Sequence, residues 1–144
     1  MDYENLIQKL LISDARIRSY VAKINGNIPN ISPNQAPAGI YPLITFERIA
    51  GGDVFRAESK PVVFNRVFQL SVYSEDSDFY LIEGVIDELM QELHFNSIFE
   101  YSDKNKDTNI IGFSKHWKIL SDQALYQRNF TLVPPRFESY INTL

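Results

Sequence analysis

Serine and histidine side chains come closest to a catalytic pattern in this chain of 144 residues. Zinc sites of the HExxH type need two histidines one helical turn apart, whereas 22 positions separate His94 and His116, the two histidines present. Ser114 and His116 alternate on a predicted strand and therefore share a face, but the sequence has no GxSxG turn to expose a nucleophilic serine. We therefore predict no catalytic residue, and we expect the chain not to be an enzyme.

A short acidic loop is the other candidate for a ligand site. Residues 103–107 read Asp-Lys-Asn-Lys-Asp and match the start of an EF-hand calcium loop. The match then fails, because Thr108 stands where that loop needs glycine and Ser114 where it needs a bidentate glutamate. The sequence has no cysteine for a thiolate site, and Gly51–Gly52 belongs to no phosphate-binding motif. We therefore expect neither a metal nor a cofactor, and we predict that residues 103–107 form a solvated hairpin loop.

Charge is distributed unevenly along the chain. The formal net charge is −4, yet residues 75–100 contain eight acidic side chains and no lysine or arginine. Four of these acids share one face of a predicted helix and are called the acidic strip below: Glu83, Asp87, Glu88 and Glu92. Burying an unpaired carboxylate costs several kcal/mol, so we expect the strip to face solvent. No basic stripe is visible, so we expect no specific nucleic-acid binding.

Three helices are predicted from the spacing of apolar residues. The first begins near Tyr3 and carries apolar residues at helical spacing: Leu6, Ile7, Leu10 and Leu11. Asp14 is predicted to cap a short second helix over 15–22, which would bury Ile17, Tyr20 and Val21. The third covers 79–94 and has one broad apolar face: Ile82, Val85, Ile86, Leu89, Met90 and Leu93.

Five strands are predicted from alternating side chains, over 42–49, 62–73, 98–102, 110–120 and 125–133. In the second strand Arg66 falls among apolar residues, so we expect it near the sheet edge. Residues 50–53, which include two glycines, are predicted to be a turn. Residues 25–39 contain three prolines and no charge, so we predict a long loop that orders only against a partner.

The element order α-α-β-β-α-β-β-β predicts an α+β fold. Short turns between consecutive strands favour antiparallel pairing, so we expect a mainly antiparallel sheet of about five strands with the helices packed on one face. Residues 1–133 are expected to form a single domain and residues 134–144 a C-terminal tail. No stretch of about 18 apolar residues occurs, so no segment is expected to span a membrane.

Six segments of the chain occur in an order that is typical of one family. A helix with the break ISDARIRSYV and a proline-rich loop precede the strands YPLITFERI and NRVFQLSVYSED. The helix LIEGVIDELMQELHF and the segment ILSDQALYQRNFTLV follow. In this order the chain resembles the tail completion, or tail terminator, proteins of long-tailed phages and prophages. The resemblance depends most on residues 42–49, 66–73 and 86–93, and it covers most of residues 3–133.

The resemblance implies a non-enzymatic assembly protein at the head–tail joint. Members of this family form a ring, usually of six subunits, that caps the tail tube and joins it to the head or neck. In such a ring we expect the acidic strip to face a solvent-filled space or the path of DNA. The implied partners are further copies of the chain, the tail tube protein and the head–neck connector proteins. The implied locations are the virion tail or neck, and the host cytoplasm during assembly. The alternatives are a head–tail connector or other neck protein, and a small ligand-binding domain with a ferredoxin-like sheet.

Overall fold

Three helices and seven strands make up the described part of the chain, which comprises residues 3–33, 39–57, 60–76 and 79–122 of a computed structural model. The helices are α1 (Tyr3–Ser13), α2 (Ala15–Tyr20) and α3 (Phe79–Glu92). The strands are β1 (Lys23–Ile24), β2 (Ile28–Pro29), β3 (Ile31–Pro33), β4 (Leu43–Ala57), β5 (Lys60–Ser74), β6 (Asn96–Lys104) and β7 (Ile111–Asp122). The α+β class is confirmed, in the order α-α-β-β-β-β-β-α-β-β.

The corner between α1 and α2 forms where the sequence predicts it. Asp14 caps α2, since its Oδ1 accepts hydrogen bonds from the backbone N–H groups of Arg16 at 2.9 Å and Ile17 at 3.2 Å. Ile17 and Val21 are buried as expected, but Tyr20 is 39% exposed and its predicted burial is wrong. The helix has only six residues and the backbone turns extended at Val21, so Tyr20 is left at the rim of the core.

The end of α3 is a Schellman motif. The N–H of Phe95 bonds to the carbonyl of Met90 at 3.0 Å, and the N–H of His94 bonds to the carbonyl of Gln91 at 3.0 Å. His94 occupies the position that usually holds glycine, with a φ of 68°. The helix therefore ends at Glu92, two residues before the predicted end, and the reversed backbone directs Phe95 into the core, where it is 2% exposed.

The main sheet has five strands in the order β3-β4-β5-β7-β6. The β3–β4 pair is parallel and the other three pairs are antiparallel, so the mainly antiparallel sheet is confirmed. One hydrophobic cluster joins α1 and α3 to a single face of this sheet, as predicted for helices on one side. Its largest fully buried members on the sheet are Phe46, Phe68 and Trp117.

The predicted loop over 25–39 is wrong where two short strands form, and residues 34–38 of it lie outside the described residues. Residues 23–29 form the β1–β2 hairpin, and β3 adds to β4 as a parallel strand. Asn30 ties these pieces together, because its N–H donates to Ala22 O at 2.8 Å and its carbonyl accepts from Ile44 N at 3.0 Å. Ile31 is buried, with 7% of its surface exposed. This burial and the backbone hydrogen bonds order a segment whose composition favours a loop.

The predicted turn at residues 50–53 is also wrong, because β4 continues through both glycines. A bulge after Arg48 shifts the register, and Gly51 then lies opposite Arg66. A Cβ atom at Gly51 would lie 3.1 Å from Arg66 Cδ and 2.9 Å from an Arg48 nitrogen, so glycine leaves room for both arginines. The expectation that Arg66 lies at the sheet edge is therefore wrong, because β5 lies between β4 and β7. The space left by Gly51 accommodates the Arg66 side chain.

The predicted strand at 125–133 and the predicted tail at 134–144 lie outside the described residues. The fifth strand of the sheet is β3, which the sequence pattern did not predict.

Candidate functional site

The sheet surface opposite the helices, called the far face below, carries most of the candidate side chains. Residues directly opposite one another in an antiparallel pair point to the same side. The register therefore places three rows across the four strands β4, β5, β7 and β6. These rows are Glu47-Gln69-His116-Phe99, Thr45-Ser71-Ser114-Tyr101 and Leu43-Tyr73-Gly112-Asp103.

A chain of polar side chains crosses the far face. The Oγ atoms of Ser71 and Ser114 are 2.7 Å apart, and both residues are buried. Gln69 donates from Nε2 to Ser71 Oγ at 3.2 Å and places its Oε1 3.0 Å from His116 Nε2. The predicted sharing of a face by Ser114 and His116 is confirmed, but each uses a different partner on β5. The arrangement orients and satisfies buried polar groups, as buried hydrogen-bonded networks do.

Aromatic rings cover the β6 side of this network. The centroid of the His116 ring lies 5.2 Å from that of Phe99 and 6.3 Å from that of Tyr101, the second pair edge-to-face. Phe99 and Tyr101 are nonetheless 54% and 45% exposed. All nine residues of β6 are exposed, so this edge strand offers both apolar side chains and an unpaired backbone edge within the described residues.

A concave pocket of about 410 Å³ lies at the end of the far face next to the β6–β7 loop. Three tyrosines from different strands or their flanks line it: Tyr41, Tyr73 and Tyr101. Three polar residues from the end of β6 and the loop complete the wall: Asp103, Asn105 and Thr108. The sequence analysis singled out none of the tyrosines. Only the alternation on β5 bears on their placement, and the strand register that brings them together is not visible in the sequence.

The hairpin loop that the sequence predicts over 103–107 is present, but it begins at Asn105 because Asp103 and Lys104 still belong to β6. Asn105 Oδ1 accepts hydrogen bonds from the N–H groups of Asp107 at 2.9 Å and Thr108 at 3.2 Å, and Asn105 N donates to Ile110 O at 2.9 Å. These bonds use the Asn105 oxygen to close the turn. Within the described residues, no group of three or more histidine, aspartate or glutamate side chains is placed to hold a metal ion.

The acidic strip does not have the surroundings that the sequence predicts. Lys115 reaches from the helix-facing side of β7, and its Nζ lies 2.8 Å from Asp87 and 3.2 Å from Glu83. The Lys115 side chain is 12% exposed, and its Nζ also lies 3.5 Å from Glu100 and 5.2 Å from the centre of the Trp117 ring. The expectation of an unpaired strip facing solvent or DNA is therefore wrong for Glu83 and Asp87.

Electrostatics at this cluster reflect a shared ammonium. Burial lowers the pKa of Lys115, but hydrogen bonds to Asp87 and Glu83 outweigh it and the net pKa is raised. Burial raises the pKa of Glu83, and the hydrogen bond with Asp87 adds to the rise, which Lys115 opposes. The cluster fastens α3 to the sheet, and its role is structural.

Glu88, a third member of the acidic strip, points away from Lys115. Glu88 Oε2 lies 2.6 Å from Arg16 Nη1, and both side chains are close to half exposed, so this ion pair joins α3 to α2 at the surface.

Comparison with models of known protein families gives no match, and comparison with curated protein sequences gives no match either. Within the described residues no helix combines the length and the apolar character needed to cross a membrane.

Proposed function

We propose that this chain is a non-enzymatic phage tail assembly protein: a subunit of a tail terminator or tail completion ring at the head–tail joint. The proposal begins from the resemblance of residues 42–49, 66–73 and 86–93 to that family. The α+β fold, with its helices on one face of a mainly antiparallel sheet, agrees with the architecture expected from the resemblance.

The observation that carries the proposal is the pair of unpaired sheet edges. On one side, β6 pairs only with β7 within the described residues, and all its side chains are exposed. On the other side, β3 pairs only with Ile44, Thr45 and Phe46 of β4, so the outer backbone edge of β4 after Phe46 has no partner within the described residues. A molecule with two different open edges is suited to head-to-tail association, and a rotation that closes produces a ring.

Ring formation in this proposal joins the β6 edge of one subunit to the outer β4 edge of the next. The proposed partners are further copies of the chain, hexameric rings being usual in the family, together with the tail tube protein and the head–neck connector proteins. The proposed locations are the virion tail or neck, and the host cytoplasm during assembly.

Deletion of the gene from the phage or prophage that carries it tests the proposal. We expect cells to accumulate filled heads and separate tails, and we expect a plasmid copy to restore joined particles. Normal virions from the deletion strain would contradict the proposal. The Asn105 N–H bonds to Ile110 O, so the alternation along β6 directs the Ser102 N–H away from β7. A plasmid copy with Ser102→Pro, which removes this outward backbone donor, should fail to complement, whereas Ser102→Val should succeed.

A small ligand-binding domain is the second candidate, and the concave pocket beside the β6–β7 loop favours it. Its volume, about 410 Å³, lies within the range of small-molecule sites. A deletion strain that produces normal virions but a protein that binds a small molecule would favour this candidate over the first.

A further inference from the structure

The floor of the tyrosine-lined pocket is the backbone of Gly112, which has no side chain. Gly112 lies between Tyr73 on β5 and Asp103 on β6 in one row of the far face. A Cβ atom at Gly112 would lie 3.0 Å from Tyr73 Cε1 and 3.2 Å from Cδ1, so the tyrosine ring lies against the bare backbone of β7. Glycine therefore sets both the depth of the pocket and the position of one aromatic wall.

The polar wall offers one strong acceptor. Asn105 Oδ1 is used by two backbone N–H groups of the loop, and Thr108 Oγ1 accepts from Ile110 N at 3.3 Å. Asp103 makes no ion pair within the described residues, and its carboxylate is the only charged group among the lining residues that the structure describes. Three tyrosine rings and one carboxylate give a pocket that is electronegative and partly apolar.

Such a lining selects a cation. Aromatic faces attract guanidinium and ammonium groups, and a carboxylate accepts their N–H donors. None of the described residues that line the pocket is a lysine or arginine that could hold an anion. The wall is open to solvent, since Tyr101 is 45% exposed and Asp103 is exposed, so the pocket suits the end of a side chain better than an enclosed small molecule.

We propose that this pocket binds the guanidinium of an arginine side chain presented by a partner polypeptide. The aliphatic part of the arginine lies against Tyr73 and Tyr101, and the guanidinium donates to Asp103. The inference rests on the lining of the pocket and not on the tail assignment.

The test is a titration of the full-length protein, followed by amide chemical shifts in heteronuclear NMR. The probe is acetyl-Gly-Arg-Gly-amide, and the matched control peptide carries citrulline, a neutral side chain of the same shape. We expect saturable shifts centred on Gly112 and Ser114 with a Kd in the millimolar range, as suits one exposed site. The citrulline peptide should bind at least about tenfold more weakly, because it lacks the charge that the rings and the carboxylate attract.

Two variants locate the site. Asp103→Asn should weaken binding of the arginine peptide about fivefold or more, whereas Asp107→Asn, in the same loop but outside the lining, should leave it unchanged. Gly112→Ala should abolish binding by displacing Tyr73. If that variant fails to fold, the Asp103→Asn comparison still decides.

Four results would overturn the proposal. These are the absence of saturable binding, equal binding of the citrulline peptide, shifts confined to residues away from the pocket, and an Asp103→Asn variant that binds normally. Agmatine, which carries the same guanidinium without a peptide backbone, tests the source of the cation. Much tighter binding of agmatine than of the peptide would assign the pocket to a free amine and overturn the polypeptide partner.

Discussion

Replacing Lys115 by methionine tests whether the lysine joins α3 to the sheet. Methionine keeps the length and the apolar part of the side chain, so the main loss is the ammonium. Glu83 and Asp87 would then lie side by side, about three-quarters buried, without a cation. Exposed ion pairs contribute roughly 0.2–1 kcal/mol each, whereas breaking a fully buried pair costs about 3–5 kcal/mol.

The burial of this cluster is intermediate, because the Lys115 side chain is 12% exposed and its two acidic partners 22% and 27%. We therefore expect Lys115→Met to lower the free energy of unfolding by about 2 kcal/mol at pH 7. For a domain of this size that loss lowers the melting temperature by about 6–10 °C.

The loss should shrink in acid. The pKa of Glu83 is already raised by burial and by Asp87, and removing Lys115 raises it further. A carboxyl whose pKa is higher in the folded state destabilises that state when ionised, and this penalty disappears as the pH falls through the raised pKa. The ammonium of Lys115, whose pKa is raised, stabilises the folded state below its ordinary pKa of 10.5 for as long as Glu83 and Asp87 are ionised. It loses these partners when the two carboxyls are protonated in acid. The wild type and the variant should therefore converge below about pH 4.

Urea unfolding of the two proteins at pH 7 and at pH 4 measures both effects. Lys118→Met is the matched control, because Lys118 lies three positions further along β7 on the far face; its expected change is within about 0.5 kcal/mol. The double variant Glu83→Gln/Lys115→Met should recover part of the loss. An equal loss in Lys115→Met and Lys118→Met, or a loss that does not depend on pH, would refute the electrostatic reasoning.

Three further predictions concern single positions. His94→Gly should raise stability by about 0.5–1 kcal/mol because the φ of 68° suits glycine, whereas His94→Ala keeps the strain; a thermal melt that shows a less stable glycine variant would contradict this. Asp14→Ala should cost about 1 kcal/mol by removing a helix cap, with Asp14→Asn as the capping control. Burial raises the pKa of Asp14, but the hydrogen bonds from Arg16 and Ile17 lower it by more, so the net pKa is below its ordinary value. The aspartate's contribution is therefore lost as the pH falls through this depressed pKa, and urea unfolding of Asp14→Ala and wild type should show a smaller gap in acid than at pH 6. Phe46→Ala should lower the free energy of unfolding by about 3–5 kcal/mol, measured by chemical unfolding. Phe99→Ala, at a half-exposed position, should lower it by less than about 1 kcal/mol. Similar losses in the two variants would contradict the assignment of Phe46 to the core.

The helices and the strands β5 and β7 could be predicted because their signals are local, whereas β4 could be predicted only as far as residue 49. A short window of sequence contains the whole pattern for each element: the apolar spacing of α1 and α3, and the alternation on β5. The cap at Asp14 is equally local. These elements account for the fold class and for the face on which the helices pack.

The remainder depends on pairing between distant residues. β3 has three residues and joins β4 through Asn30, so no periodic pattern marks it. Lys115 meets Asp87 across 28 positions and Glu83 across 32, and the strand register that brings them together is absent from any short window. The same holds for the row of Tyr73, Gly112 and Asp103, which forms only when three strands align.

Electron microscopy of the purified, gold-labelled protein mixed with tail tubes tests the central claim most directly. The account predicts ring-shaped density and label at one end of each tube, the end that meets the head, with unlabelled tube walls. Label along the walls, or tubes without label at either end, would contradict the assignment to the head–tail joint.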